Sequence, residues 1–166
     1  MRRARIVLFI VGCFHLPACS WFRSEPPKLF PVNLCLHGSP QLQWRDGSAH
    51  TLFVRVYPLT AADAFNATEM TDLIAEPPPT LAGSVGASQW RTLYPNGTVT
   101  LSFDAPAGQE FSMLGVVAGY YKPQGRSKIL VNAADLRTGS CYTIEFGPAG
   151  IEGGAPAPVP TKGEDE

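Results

Sequence analysis

Bulky and polar residues alternate over much of this chain, the period expected of strands with one buried face. Phe30-Pro31-Val32-Asn33-Leu34-Cys35-Leu36 has this pattern and predicts a first strand. Leu52-Phe53-Val54-Arg55-Val56-Tyr57 repeats it and puts Arg55 near the solvent side or at an edge. Thr98-Val99-Thr100-Leu101-Ser102-Phe103 alternates cleanly. The preceding Tyr94-Pro95-Asn96-Gly97 predicts a tight turn, because Asn-Gly accepts positive φ. Residues 113–121 are nearly all apolar, which predicts a strand buried on both faces. Lys128-Ile129-Leu130-Val131 and Cys141-Tyr142-Thr143-Ile144-Glu145-Phe146 complete the strands.

One region departs from this period. Residues 60–65 and 68–74 have helical spacing, with Phe65, Met70, Leu73 and Ile74 able to share a face. Thr68 with Asp72 nearby predicts a helix start, and Pro77-Pro78-Pro79 ends the helix. Short strands with one helical excursion predict an all-β fold, a two-sheet sandwich with a short helical insertion.

The first 18 residues read as an export leader. Arg2, Arg3 and Arg5 precede an apolar run from Ile6 to Gly12, and small residues follow. The leader ends at Leu16-Pro17-Ala18-Cys19, so Cys19 is the expected lipid acceptor. Ile10-Val11-Gly12-Cys13 offers a second acceptor, and an ordinary secretory leader without lipid is the other alternative. The apolar run is well short of the ~20 residues that span a bilayer. Ser20 and Trp21 follow Cys19 with no acid, which favours the outer over the inner membrane.

Removing the leader takes three arginines and no acid from 13 basic and 14 acidic residues, leaving a net charge of −4. No basic patch remains, so nucleic acid is excluded as a partner class. Residues 19–28, with Pro26 and Pro27, read as a spacer behind the lipid. Residues 29–146 form the expected domain. The Gly-, Pro- and Ala-rich, then acidic, segment 147–166 is expected to be a disordered tail.

Catalysis finds no support in the sequence. His15 belongs to the leader, and His37 and His50 lack a metal-ligand spacing. There is no nucleophile elbow, and Gly83 and Gly86 lack the lysine and helix of a phosphate loop. No catalytic residue, metal or cofactor is expected. Cys35 and Cys141 lie on the first and last predicted strands, and in an oxidising compartment such a pair bridges; the alternative is two buried thiols. The segment Gly38 to His50 joins the first two strands and is long for a hairpin. Leu42 and Trp44 stand there among Gln41, Gln43, Arg45 and Asp46. An exposed aromatic beside an arginine is a common interface anchor. The alternative is a first strand that runs on through Trp44 and buries it.

Taken in order, Val54-Arg55-Val56-Tyr57-Pro58-Leu59, Ala64-Phe65-Asn66-Ala67, Leu93-Tyr94-Pro95-Asn96-Gly97 and Leu114-Gly115-Val116-Val117-Ala118-Gly119-Tyr120-Tyr121 resemble the TssJ lipoproteins of type VI secretion systems. The resemblance spans residues 30–135. It implies a transthyretin-like sandwich that is lipid-anchored in the outer membrane and faces the periplasm. It also implies a partner, the periplasmic C-terminal region of the inner-membrane protein TssM. The loop between the first two strands is the family's contact element, which here assigns partner binding to Gln41, Leu42, Gln43, Trp44, Arg45 and Asp46. Leu42 and Trp44 depart from the polar loop usual in that family, as Lys122 and Pro123 depart from its "RDL". The alternative function is a transthyretin-like small-ligand carrier.

Overall fold

The computed structural model describes residues 32–104, 111–136 and 141–156. The leader, Cys13, Cys19, the spacer and residues 157–166 lie outside the described residues. Along the chain run β1 (Val32–Gly38), β2 (Leu52–Leu59), α1 (Asp63–Ala67), α2 (Met70–Ile74), β3 (Gln89–Leu93) and β4 (Thr98–Phe103). Then follow β5 (Met113–Ala118), β6 (Lys128–Asn132), α3 (Ala133–Leu136), β7 (Tyr142–Phe146) and β8 (Ile151–Pro156). The strands form two four-stranded sheets, ordered β4-β1-β7-β8 and β3-β2-β5-β6. Among the described strands β1 and β7 pair in parallel and the other neighbours are antiparallel.

The period of two builds the interior directly. Val32, Leu34 and Leu36 from β1, Leu52, Val54 and Val56 from β2, and Leu114, Val116 and Ala118 from β5 meet Leu101, Ile144 and Phe146 between the sheets. The opposite face of β2 and β5 is also buried. Tyr57, Leu59 and Val117 there join Phe65, Leu73 and Leu81 in a second cluster roofed by α1 and α2. Each helix has only five residues and would not persist alone, so the packing holds it in place. Gly115 permits this contact: a Cβ there would lie 2.7 Å from the Phe65 ring. Lys128 Nζ donates to the carbonyls of Phe65, Asn66 and Thr68 at 3.2, 2.8 and 3.1 Å, closing the C-terminal end of α1.

Three expectations need correction. Arg55 does face outward from the sheet, yet it is fully buried because the helical insertion covers that face. Its Nη1 donates to the Ala75 carbonyl at 2.5 Å, its Nη2 pairs with Glu76, and its Cζ lies 5.2 Å from the Phe53 ring centroid. Thr68 does not cap α2; its hydroxyl donates to the Ala64 carbonyl at 2.7 Å, and α2 starts at Glu69 without a side-chain cap. The tail is ordered as far as Pro156, because β8 pairs with β7 through its backbone. Ile151 is buried, and Gly154 leaves room for the Tyr142 ring, which a Cβ would approach to 2.5 Å. Two further elements, β3 and α3, carry no legible pattern. In β3 only Leu93 is fully buried, so the strand lacks alternation.

Cys35 and Cys141 form a disulfide, with Cα atoms 5.7 Å apart and a separation of 106 positions in sequence. In the chain-entropy account a loop of this length stabilises the fold by roughly 4–5 kcal/mol.

Arg55 and Glu76 should respond unequally to substitution. Arg55→Ala should cost about 3 kcal/mol, since it strands buried acceptors and opens a void under the insertion. Glu76 is 62% exposed, so Glu76→Gln should cost about 1 kcal/mol or less. Urea titration of both variants checks this, and equal losses would contradict the burial argument.

Candidate partner-binding surface

The segment after β1 turns away at Ser39 and does not extend the strand, so Trp44 is not a core residue. Leu42 is the residue that turns inward, and it is fully buried in the main core. Its N–H donates to the Ser39 carbonyl at 3.0 Å, and its own carbonyl accepts from His50 at 2.9 Å. Leu42 therefore anchors the loop and offers no surface to a partner, contrary to the expectation from the sequence. The physical reason is that one large apolar residue in a polar loop gains more by entering an adjacent core than by remaining in water.

Beyond Leu42 the loop is tied to two neighbours. Gln43 N–H donates to the Gly147 carbonyl at 3.2 Å and Trp44 N–H to the Pro148 carbonyl at 3.0 Å. The Gln43 side-chain oxygen accepts from the Tyr121 N–H at 3.0 Å. Arg45 and Ser48 exchange both backbone hydrogen bonds, at 3.0 and 2.9 Å, around Asp46 and Gly47 with φ of 50° and 79°. That is the positive-φ pair of a tight hairpin turn, and Asp46-Gly47 was the sequence signal for it.

These ties bring Gln43, Trp44, Arg45 and Asp46 against Tyr120, Tyr121, Lys122, Gln124, Pro148 and Ala149, around an open cleft of about 430 Å³. Trp44 is 48% and Tyr121 66% exposed. Arg45 Cζ stands 5.1 Å from the Tyr121 ring centroid, a cation–π contact. Gln41 is exposed but does not line the cleft. The far wall was missed in the sequence; its signal was Tyr120-Tyr121-Lys122, two aromatics and a cation at a strand end. The wall from Pro148 and Ala149 depends on the turn into β8, which the expected tail would not have provided.

Tyr120 underpins this end of the molecule. Its hydroxyl donates to the Gly150 carbonyl at 2.8 Å and reaches the Gly147 carbonyl at 3.3 Å, fastening the β7–β8 turn. Burial, and then the charge of Glu152, push its phenol well above the ordinary range, against a smaller opposing effect of the Gly147 bond. Burial likewise raises Tyr57. The histidines have ordinary polar neighbours: His37 Nδ1 lies 2.9 Å from Thr98 Oγ1, and His50 Nε2 lies 3.2 Å from Ser48 Oγ. Among the described residues no group of His, Cys, Asp and Glu could hold a metal ion, and no helix is long and apolar enough to cross a membrane.

Residues 31–147 match the family described as type VI secretion lipoprotein, VasD, EvfM, TssJ. The chain belongs to this family. Among solved structures, the TssJ-family chain is similar to the T6SS lipoprotein TssJ1 from Pseudomonas aeruginosa, with 23% identity and a TM-score of 0.67 over 80% of this chain and 99% of that one. It is similar to Serratia marcescens Lip, a membrane-bound component of the type VI secretion system, with 17% identity and a TM-score of 0.61 over 77% and 97%. It also matches a chain of the structure of the TssM C-terminal domain from EAEC, with 16% identity and a TM-score of 0.62 over 78% and 98%. No curated protein matches the chain. At these identities the structures establish the shared sandwich, and membership rests on the family match.

Two measurements test this geometry. Leu42→Ala should lower stability by about 3 kcal/mol, whereas Trp44→Ala should change it by less than about 1 kcal/mol. Comparable denaturation midpoints for the two variants would refute the anchoring role of Leu42. The tyrosines set an alkaline limit. Their folded pKa values lie above the unfolded value of 10.0, so the folded state holds these protons more tightly. The stability this contributes is fully present below pH ~10 and is lost as pH rises above it. Melting temperatures measured from neutral pH into that range should fall there, and the fall should shrink in Tyr120→Phe.

Proposed function

We propose that this TssJ-family lipoprotein is an outer-membrane anchor that docks the periplasmic C-terminal region of a TssM-like protein through the cleft built on the β1–β2 loop. The observation that carries this reading is the loop itself. It is pinned by Leu42, by backbone bonds to the β7–β8 turn and by the Gln43 side chain on Tyr121, and it presents Trp44 beside Tyr121 at the surface. A pre-ordered loop binds with little further loss of conformational entropy, and half-exposed aromatics are the residue types that carry interface energy. The match to a chain in a TssM C-terminal domain structure supports the choice of partner class. Partner contact is assigned to Gln43, Trp44, Arg45 and Asp46 from the loop, with Leu42 serving to hold them.

The anchoring part rests on the leader pattern and on Cys19 as lipid acceptor. A diacylated or triacylated cysteine holds a protein stably, because one chain alone binds a bilayer only marginally. The role is one of structure and docking, without catalysis, consistent with a family defined by a secretion lipoprotein.

Each part has its own test. Cys19→Ser should move the protein from membrane to soluble periplasmic fractions; continued acylation and membrane fractionation would reassign the lipid to Cys13. Trp44→Ala together with Tyr121→Ala should weaken binding to the purified TssM periplasmic domain by at least about 2 kcal/mol. Unchanged affinity would remove the cleft from the interface.

A further inference from the structure

Arg45 and Lys122 come from different loops and converge on one ring. Arg45 Cζ lies 5.1 Å, and Lys122 Nζ 5.5 Å, from the Tyr121 ring centroid. Both residues are exposed. Among the described residues the ion pairs within 4.0 Å are His37 with Glu145 and Arg55 with Glu76, so neither cation has a carboxylate partner. Among the described residues Asp46 is the single acid lining the same cleft, against these two cations. The chain without its leader carries net negative charge, so this is a basic spot on an acidic protein.

Two like charges held against one ring repel each other, and the ring face leaves their N–H donors available. A carboxylate brought beside either cation relieves the repulsion and accepts from its N–H groups. Trp44 and the Tyr121 ring supply apolar contact beside it. We infer that the cleft recognises an acidic side chain on the docked partner, an Asp or Glu that pairs with Arg45 or Lys122 beside the Tyr121 ring. The inference rests on the docking reading above and specifies the chemistry of the partner segment that enters.

The test titrates the lipid-free mature protein, residues 20–166 with its disulfide formed, with the periplasmic domain of the TssM-like partner. Arg45→Glu and Lys122→Glu should each weaken binding on the order of tenfold and slow association at low salt, whereas Arg45→Lys should retain most of the affinity. Both positions are exposed, so melting temperatures should stay at the wild-type value. Wild-type affinity should also fall between about 50 and about 300 mM salt, a readout that needs no variant. Wild-type protein that fails to bind sinks the docking reading and this inference with it. Wild-type protein that binds with affinity indifferent to salt and to both charge reversals sinks the acidic-residue inference alone.

Discussion

A fully buried guanidinium holds the second layer of this protein in place. Because the outer face of β2 and β5 is, Arg55 apart, as apolar as the inner one, it needs a cover, and the chain between β2 and β3 supplies one. Such a short insertion has little intrinsic stability, so its seating depends on specific contacts. Arg55 provides donors to the chain just beyond α2, Tyr57 donates to the Leu73 carbonyl, and Lys128 closes α1 from the neighbouring strand. Three polar side chains from the sheet thus satisfy carbonyls that two helical turns leave unpaired. Desolvating a charge is expensive, and here several acceptors and one carboxylate offset that expense.

The same layer shows why some of the fold was legible in the sequence and some was not. Alternation in β1, β2 and β4 reported correctly which residues point between the sheets, because that face is buried along the whole strand. It could not report that the other face of β2 is buried too, since covering Arg55 depends on residues 63–76 folding back. The period placed Arg55 on the right side, and the insertion decided its exposure. β8 failed for a different reason. Its residues are Gly- and Pro-rich, a composition that argues for disorder, yet backbone pairing needs no side chains once β7 offers a free edge and Ile151 reaches the core.

The candidate site was half legible. Trp44 and Arg45 drew notice as an aromatic and a cation in a polar loop, and both do reach the surface. Leu42 carried the same kind of signal and went inward. Hydrophobicity alone cannot separate an anchor from a contact residue, because both are apolar residues in a polar segment. What separates them is the position of the loop relative to the open end of the sandwich. Tyr121, Lys122 and Pro148 joined the site only through tertiary contact, from segments far away in sequence.

The disulfide bears on that end of the molecule through topology. Cys35 lies on β1, whose continuation becomes the Leu42 loop, and Cys141 enters β7, whose continuation becomes the turn at Gly147 and Pro148. The two strands pair in parallel, so both continuations leave the sheet at the same end, and there Gln43 and Trp44 bond to Gly147 and Pro148. A parallel pair cannot be joined by a tight turn, so its strands must find each other across a long stretch of chain. The covalent link between Cys35 and Cys141 limits how far the pair can separate. Register is then passed along five residues of each strand, from Leu34 and Tyr142 to Gly38 and Phe146. The cleft is therefore set by the pairing of β1 with β7, and the loops that form its walls inherit their positions from strands that are themselves tied.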